Sequence, residues 1–307
     1  MREFELLKIV EELFGCEEDE ELRVPAGSHD AAYIKFGDTY LVLTCDTVNE
    51  ISDFPPYMSA EEMGEMAVAV TLSDLAACGS SPMYFLSSIS IKEADKDFFK
   101  GILKGIRNAC NRYGVKVAGG DIDFAPHTTI AGFAVGITDK IVTRSGARPG
   151  EKVYVTAPLG KAQLCLEMLS SGLGRERLPY PDSLYRPIPR INEGKNIARF
   201  AGALTDISDS LAVSLHQIAE SSGVRIVLER VKLPLAHLTK YVDQKKSLDL
   251  FLYGGGDYEL IFTADDRAAQ KYGIEIGYVK KGKGVYIQDE DKKLQKVEMK
   301  GYSHFDV

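Results

Sequence analysis

The 307-residue chain has five cysteines, Cys16, Cys45, Cys78, Cys110 and Cys165, and no C-x-x-C pair among them. This odd, unclustered set indicates neither a disulfide framework nor a thiolate zinc site, and it reads as reduced, mostly buried thiols. The five histidines, His29, His127, His216, His237 and His304, contain no H-E-x-x-H spacing, which argues against zinc or copper. No apolar run approaches the roughly 20 residues that a membrane helix needs, and Met1-Arg2-Glu3-Phe4-Glu5 lacks the features of a signal peptide. A cytoplasmic location without a membrane partner is therefore expected. Basic stretches are missing too: the net charge is -8 and the pI about 5.3. Lys280, Lys281 and Lys283 read as a solvated hairpin turn, so nucleic acid is not an expected partner. A G-x-x-x-x-G-K-[ST] loop, a kinase glycine loop with its H-R-D partner and a G-x-G-x-x-G after a strand are all absent. No histidine is tied to Cys45 in sequence, so a covalent nucleophile is not expected.

What is present is a globular composition, 45% apolar and 27% charged, at a length that points to two domains. Strands interleave with helices. Residues 39–46 form a β-favouring run ending in an acid, Ser59 and Glu62 form a capping box for a helix reaching about Cys78, and Gly79 stops it. Residues 84–91 read as a strand, 95–113 as a helix stopped by Gly114, and 128–138 as another strand. The turn-rich segment Arg144 to Gly150 marks the expected domain boundary. Beyond it, a strand at 153–156, a helix at 161–171, an irregular proline-rich crossing at 175–192 and a helix from about Ser210 to Ser222 follow. Strand-like segments at 224–229, 248–253, 258–263 and 274–279 precede a hairpin around 283–297.

Short acidic motifs interrupt this pattern where apolar runs stop. They are Ser28-His29-Asp30, Thr44-Cys45-Asp46-Thr47, Ser73-Asp74, Gly119-Gly120-Asp121 and Asp206-Ile207-Ser208-Asp209. Asp74 shares a helix stripe with Ala67, Val70, Thr71 and Cys78, where a carboxylate is costly without a partner. Asp121 follows two glycines at an expected strand end, a favoured place for ligands. Asp209 reads either as a helix N-cap or as a ligand, whereas Asp206 is not needed for capping. Gly254-Gly255-Gly256 reads as a hairpin turn or as room for a bulky ligand. Converging carboxylates repel unless cations or protons neutralise them, and magnesium suits oxygen donors completed by water and phosphate. A phosphate-bearing substrate is implied.

Asp30-Ala31-Ala32, Thr44-Cys45-Asp46-Thr47, Leu72-Ser73-Asp74-Leu75-Ala76-Ala77 and Gly119-Gly120-Asp121 occur in the order found in the thiamine-monophosphate kinase family. So do Arg144 to Gly150, Asp206-Ile207-Ser208-Asp209, Asp257-Tyr258-Glu259-Leu260 and Gly301-Tyr302-Ser303-His304-Phe305. The chain resembles that family over nearly its whole length, and through it the aminoimidazole ribonucleotide synthetase-related superfamily. The resemblance implies an α/β protein with α+β mixed sheets. Residues 1–148 would form an N-terminal α/β domain binding ATP and Mg2+ and dimerising through its strands, and 149–307 a C-terminal α/β domain. It also implies several Mg2+ ions on Asp30, Thr44, Cys45, Asp46, Asp74, Asp121, Asp206 and Asp209, with Cys45 acting through its backbone. Gly120, Asp121, Arg144 and Ser208 would meet ATP, and Asp53, Gly256 and Phe305 would lie on the substrate side. The implied reaction passes the γ-phosphoryl group of ATP directly to thiamine monophosphate within a homodimer, with no phosphoenzyme.

The chain departs from the family pattern at a few positions. The first motif carries His29 where the family has an acid. Asp53 replaces a histidine, Gly256 replaces an acid, and Ile122 and Asp123 replace small polar residues. Two alternatives follow: a related ATP-dependent enzyme with another small acceptor, and a non-catalytic nucleotide-binding protein.

Overall fold

The computed structural model describes residues 3–15, 19–265 and 267–303. The first half runs α1 (Glu3–Phe14), β1 (Leu22–Val24), β2 (Ala32–Phe36), β3 (Thr39–Asn49), α2 (Ala60–Ala77), β4 (Ser81–Ile91), α3 (Lys96–Tyr113), β5 (Lys116–Phe124) and β6 (Thr129–Thr138). The second runs β7 (Lys152–Val155), α4 (Lys161–Ser170), α5 (Pro181–Tyr185), α6 (Ile191–Ile197), β8 (Ala203–Ile207), α7 (Leu211–Ser221), β9 (Val224–Glu229), α8 (Gln244–Tyr253), β10 (Glu259–Ala264), β11 (Ile274–Lys281), β12 (Gly284–Gln288) and β13 (Leu294–Lys296). Each half supplies one mixed sheet. The six-stranded sheet has the order β1-β2-β3-β6-β4-β5, with only β4 and β5 parallel, and the seven-stranded sheet has the order β13-β12-β9-β11-β7-β10-β8. In the second sheet only β9 and β12 run parallel. Mixed α/β architecture is thus what the residues form.

Helix α2 joins the two halves. Its capping box is complete: the Glu62 amide donates to Ser59 Oγ and the Ser59 amide to Glu62 Oε2. The helix is buried on nearly every side, packing on β3, β6 and α3 of its own half and on α6, β8 and β10 of the other. Paired glycines allow α3 to cross it closely. A Cβ on Gly64 would stand 2.1 Å from the Ile102 carbonyl oxygen, and one on Gly105 would stand 1.9 Å from that of Glu61. One core cluster therefore runs through both halves, from Leu72 and Leu75 to Tyr154, Leu204, Leu260 and Phe262. A second core lies on the far side of the seven-stranded sheet, beneath α4, α7 and α8.

Several sequence expectations are corrected. Residues 248–253 belong to helix α8, because Asp243 caps it through the Lys246 amide and Ser247, Leu250 and Phe251 form its buried stripe. The Leu-Asp-Leu alternation at 248–250 imitates a strand only locally. Strand β3 continues past Asp46 to Asn49, and β5 runs through Gly119-Gly120 rather than ending there. The proline-rich crossing contains a 3-10 turn and α5, with Pro181 in the first helical turn where its missing N–H costs nothing. Ser210, not Asp209, caps α7 by accepting from the Val213 amide at 3.1 Å. Helices α1 and α6 and strands β1 and β2 were not anticipated. Among the described residues no helix is long and apolar enough to cross a membrane.

A carboxylate crevice as the candidate active site

The period-2 alternation of β3 sets the site's first wall. Val42 and Val48 are buried, so Thr44 and Asp46 share their face toward α2, while Cys45 points to the opposite, exposed face. The Cys45 thiol is therefore turned away from the crevice; burial, then the Asp46 charge, raises its pKa and keeps it protonated. Thr44 Oγ1 donates a short hydrogen bond to Asp74 Oδ2 on α2. The neighbouring Ser73 donates to Asp206 Oδ2 at 2.6 Å, which brings the end of β8 to the same helix. Thr205, one residue earlier, donates to Asp30 Oδ2 at 2.6 Å, and Arg144 closes an ion pair on Asp30 Oδ1. Four separate elements thus deliver Asp30, Asp46, Asp74 and Asp206 to one place.

The electrostatics separate these acids. Burial opposes ionisation of Asp30, but Arg144, His29 and the Thr205 hydroxyl prevail and hold its carboxyl below the ordinary value. Asp74 is pushed well up, first by burial and then by the charges of Asp206, Asp46 and Asp30. Asp206 rises to about 8, through burial and then Asp30 and Asp46. Two carboxyls that cannot ionise freely beside their neighbours call for cations. The donors are hard oxygens from carboxylates and hydroxyls, the set that suits Mg2+. Among the described residues no three His, Cys, Asp or Glu side chains form a ready-made single-ion cluster. The imidazole of His29 is enclosed, its ring centroid 6.2 Å from that of Tyr33 and its Nδ1 3.4 Å from Asp30 Oδ2. Burial lowers its pKa to about 4, so it stands neutral where the sequence pattern led one to look for an acid.

A cavity of about 500 Å³ opens on the crevice. Asp30, Arg144, Asp206, Ser208 and Asp209 line it together with Leu7 and Val10 of α1, Val213 and Gln217 of α7, and Met299. The turn carrying Arg144 is pinned to the C-cap of α7. Ser222 Oγ donates to the Arg144 carbonyl at 3.0 Å and accepts from the Gly146 and Ala147 amides at 3.1 Å. Nothing in the sequence singled out α1, whose contribution depends on where a separate helix comes to rest.

Other expected residues lie elsewhere or carry structural bonds. Gly120 and Asp121 are exposed on β5, three strands from β3 or roughly 14 Å at about 4.8 Å per strand. Asp121 therefore does not join the other acids within this chain. One oxygen of Asp53 accepts from the Asn49 amide at 2.9 Å and from the side chains of Asn49 and Ser52 at 2.8 Å, which closes its own turn. Gly256, at φ +81°, donates its amide to the Ser208 carbonyl at 2.7 Å. A Cβ on Gly255 would stand 2.8 Å from the Asp209 carbonyl oxygen, so the triple glycine lets its own backbone approach residues 207–209. Phe305 lies outside the described residues. The Asp-Tyr-Glu-Leu motif divides its labour. Asp257 accepts from the Gly160, Lys161 and Ala162 amides at 2.5, 3.2 and 3.3 Å and so caps α4, whose Gly160 has no side chain to do so. Glu259 pairs with Arg190 and accepts from the Thr156 hydroxyl at 2.5 Å.

Known proteins resemble this chain in sequence and in fold. Residues 28–138 match the family model described as AIR synthase related protein, N-terminal domain. The chain is 58% identical to a thiamine-monophosphate kinase of Archaeoglobus fulgidus, over 99% of this chain and 98% of that one. It is 33% identical to the thiamine-monophosphate kinase of Pyrococcus horikoshii over 99% and 96% of the respective chains. The fold superposes on a solved structure of AaThiL complexed with AMPPCP and TMP with a TM-score of 0.87, at 32% identity, covering 99% of this chain and 97% of that one. The chain belongs to the thiamine-monophosphate kinase family.

Proposed function

We infer that this protein transfers the γ-phosphoryl group of ATP to the phosphate of thiamine monophosphate, giving thiamine diphosphate and ADP. The observation that carries the reading is the crowding of Asp30, Asp46, Asp74 and Asp206 beside a cavity rimmed by Arg144 and Ser208. Asp30, Asp46, Asp74, Asp206 and Asp209 are assigned to several Mg2+ ions, with the Thr44 hydroxyl and the Cys45 backbone beside them. Bound Mg2+ supplies neutralisation of the charge that gathers on phosphate oxygens during transfer. The chain's own part is positioning. Arg144 and Ser208 hold the nucleotide, the Thr44, Ser73 and Thr205 hydroxyls fix the carboxylates in place, and Asp53, Gly256 and Phe305 are assigned to the acceptor side. In the transfer the bond between the γ-phosphorus and its bridging oxygen breaks, and a bond to an oxygen of the acceptor phosphate forms. That acceptor is already an anion, so no general base or protein nucleophile is needed.

Residues 1–148 are assigned to nucleotide and metal binding and to dimerisation, and 149–307 to a C-terminal domain that closes the site with Asp206, Ser208 and Asp209. The homodimer reading is supported by the outer face of the six-stranded sheet, where Leu43, Tyr84 and Phe133 are exposed, and by β5, exposed along its whole length with Ile122 and Phe124 uncovered. Pairing through this edge gives Gly120 and Asp121 access to a nucleotide that they do not reach within one chain. Mass-spectrometric analysis of purified protein with Mg-ATP and thiamine monophosphate tests the reading. Equal amounts of thiamine diphosphate and ADP, absent without Mg2+, are expected; ADP without thiamine diphosphate, or no turnover, contradicts it.

A further inference from the structure

Helix α7 forms one wall of the cavity. Val213, Gln217, Glu220 and Ser221 line it at the i, i+4, i+7 and i+8 spacing of a single helix face. Ser222, the C-cap, ends that wall. Its hydroxyl has used its whole bonding capacity on the turn that carries Arg144, with one hydrogen bond donated to the Arg144 carbonyl and two accepted from the Gly146 and Ala147 amides. Strand β8 holds the same turn from its other side. The Leu204 amide donates to the Thr143 carbonyl at 3.0 Å. Gly146, at φ +145°, passes so near the Gly202 carbonyl oxygen that a Cβ would collide with it. The two peptide groups that flank the Arg144 Cα are thus each anchored, one to β8 and one to α7. The Arg144 side chain is 16% exposed and lines the cavity. One terminal nitrogen of its guanidinium pairs with Asp30, whereas Nε is buried with no hydrogen-bond partner among the described residues.

We propose that Ser222 is a positioning residue for the nucleotide, acting through Arg144 by fixing the turn from which the guanidinium reaches the cavity. This rests on the nucleotide-holding role of Arg144 in the reading above. Ser222 itself does not line the cavity, so its effect passes through the residue it holds. A guanidinium binds phosphate through a planar fork, and its usefulness depends on direction as well as charge. Several rotatable bonds separate that fork from the Cα. Release of the turn from α7 would leave the charge-assisted pair with Asp30 in place, because a buried carboxylate without its partner is costly. The misalignment then falls on the donors that Asp30 does not engage. A donor held in place beforehand also needs no ordering when the ligand arrives. Loss of the Ser222 hydroxyl therefore weakens nucleotide binding without freeing Asp30.

A double-mutant cycle read by calorimetric titration with Mg2+–AMPPCP tests this without relying on turnover. Ser222→Ala removes the hydroxyl, and Ser222→Thr keeps it. Arg144→Lys keeps a positive charge for Asp30 and removes the fork. Ser222→Ala is expected to lower affinity about five- to tenfold and Ser222→Thr to stay within twofold of the unaltered protein. In the Arg144→Lys background, Ser222→Ala should change affinity by less than twofold, because the fork it would aim is gone; a residue that only supports the fold would cost the same in both backgrounds. Affinity of Ser222→Ala within twofold of the unaltered protein, failure of Ser222→Thr to restore it, or an equal loss in both backgrounds overturns the proposal. Absence of Mg2+–AMPPCP binding by the unaltered protein would contradict the nucleotide reading itself, and this proposal with it. Production of ADP without thiamine diphosphate would contradict only the acceptor assigned above, and the cycle would still decide the role of Ser222.

Discussion

Asp257 and Asp74 are both enclosed carboxylates whose pKa burial raises, yet they do opposite work. Asp257 meets three backbone amides, a satisfied arrangement that stabilises α4. Asp74 meets one hydroxyl and three other acids. Burial of an acid alone does not mark a functional site here. What marks it is burial among like charges, an arrangement that costs stability until something positive arrives.

Substitutions should separate the two carboxylates. The largest effect is expected for Asp74→Asn, which should lower thiamine diphosphate formation by about 100-fold or more, since it removes a charge from the group that organises the transfer. A rate assay at saturating Mg-ATP checks it. Asp257→Asn should leave activity within a fewfold but destabilise the protein by about 1–2 kcal/mol through the weakened cap, readable in urea unfolding.

The contrast also predicts a pH dependence. Asp206 has a folded pKa of about 8 against an ordinary 3.8, so the folded state holds a proton that the unfolded state has lost over that interval. Without divalent cations the contribution of Asp206 to stability therefore falls as pH rises from about 4 through about 8, and Mg2+ should restore it. Melting curves between pH 5 and 9, with and without Mg2+, check this sign. The smallest effect is expected for Cys45→Ser: activity within about twofold, because the side chain faces away from the crevice.

The sequence made some of this legible, and for definite reasons. The Ser59–Glu62 box and the Asp74 stripe were readable because helix caps and helix faces are set by neighbours three and four residues away. The acids stood out as a group because their motifs interrupt apolar runs, whereas Arg144 and Ser208 were singled out only through the family resemblance. The exclusion of Asp121 from the chain's own cluster was not legible, since it follows from the order of strands in a sheet. The structural use of Asp257 and Glu259 was hidden for the same reason: their partners, Gly160 and Arg190, lie 97 and 69 residues away. The Leu-Asp-Leu alternation at 248–250 fits either period because it is only three residues long, and the Asp243 cap settles the matter.

The most direct test of the crowded-carboxylate account is the melting temperature at pH 8, with and without Mg2+, of the unaltered protein, Asp74→Asn and Asp257→Asn. The account predicts that Asp74→Asn melts higher than the unaltered protein without Mg2+ and gains less from its addition, whereas Asp257→Asn melts lower and keeps the full Mg2+ response. An Asp74→Asn variant that is destabilised without Mg2+ and responds fully to it would contradict the account.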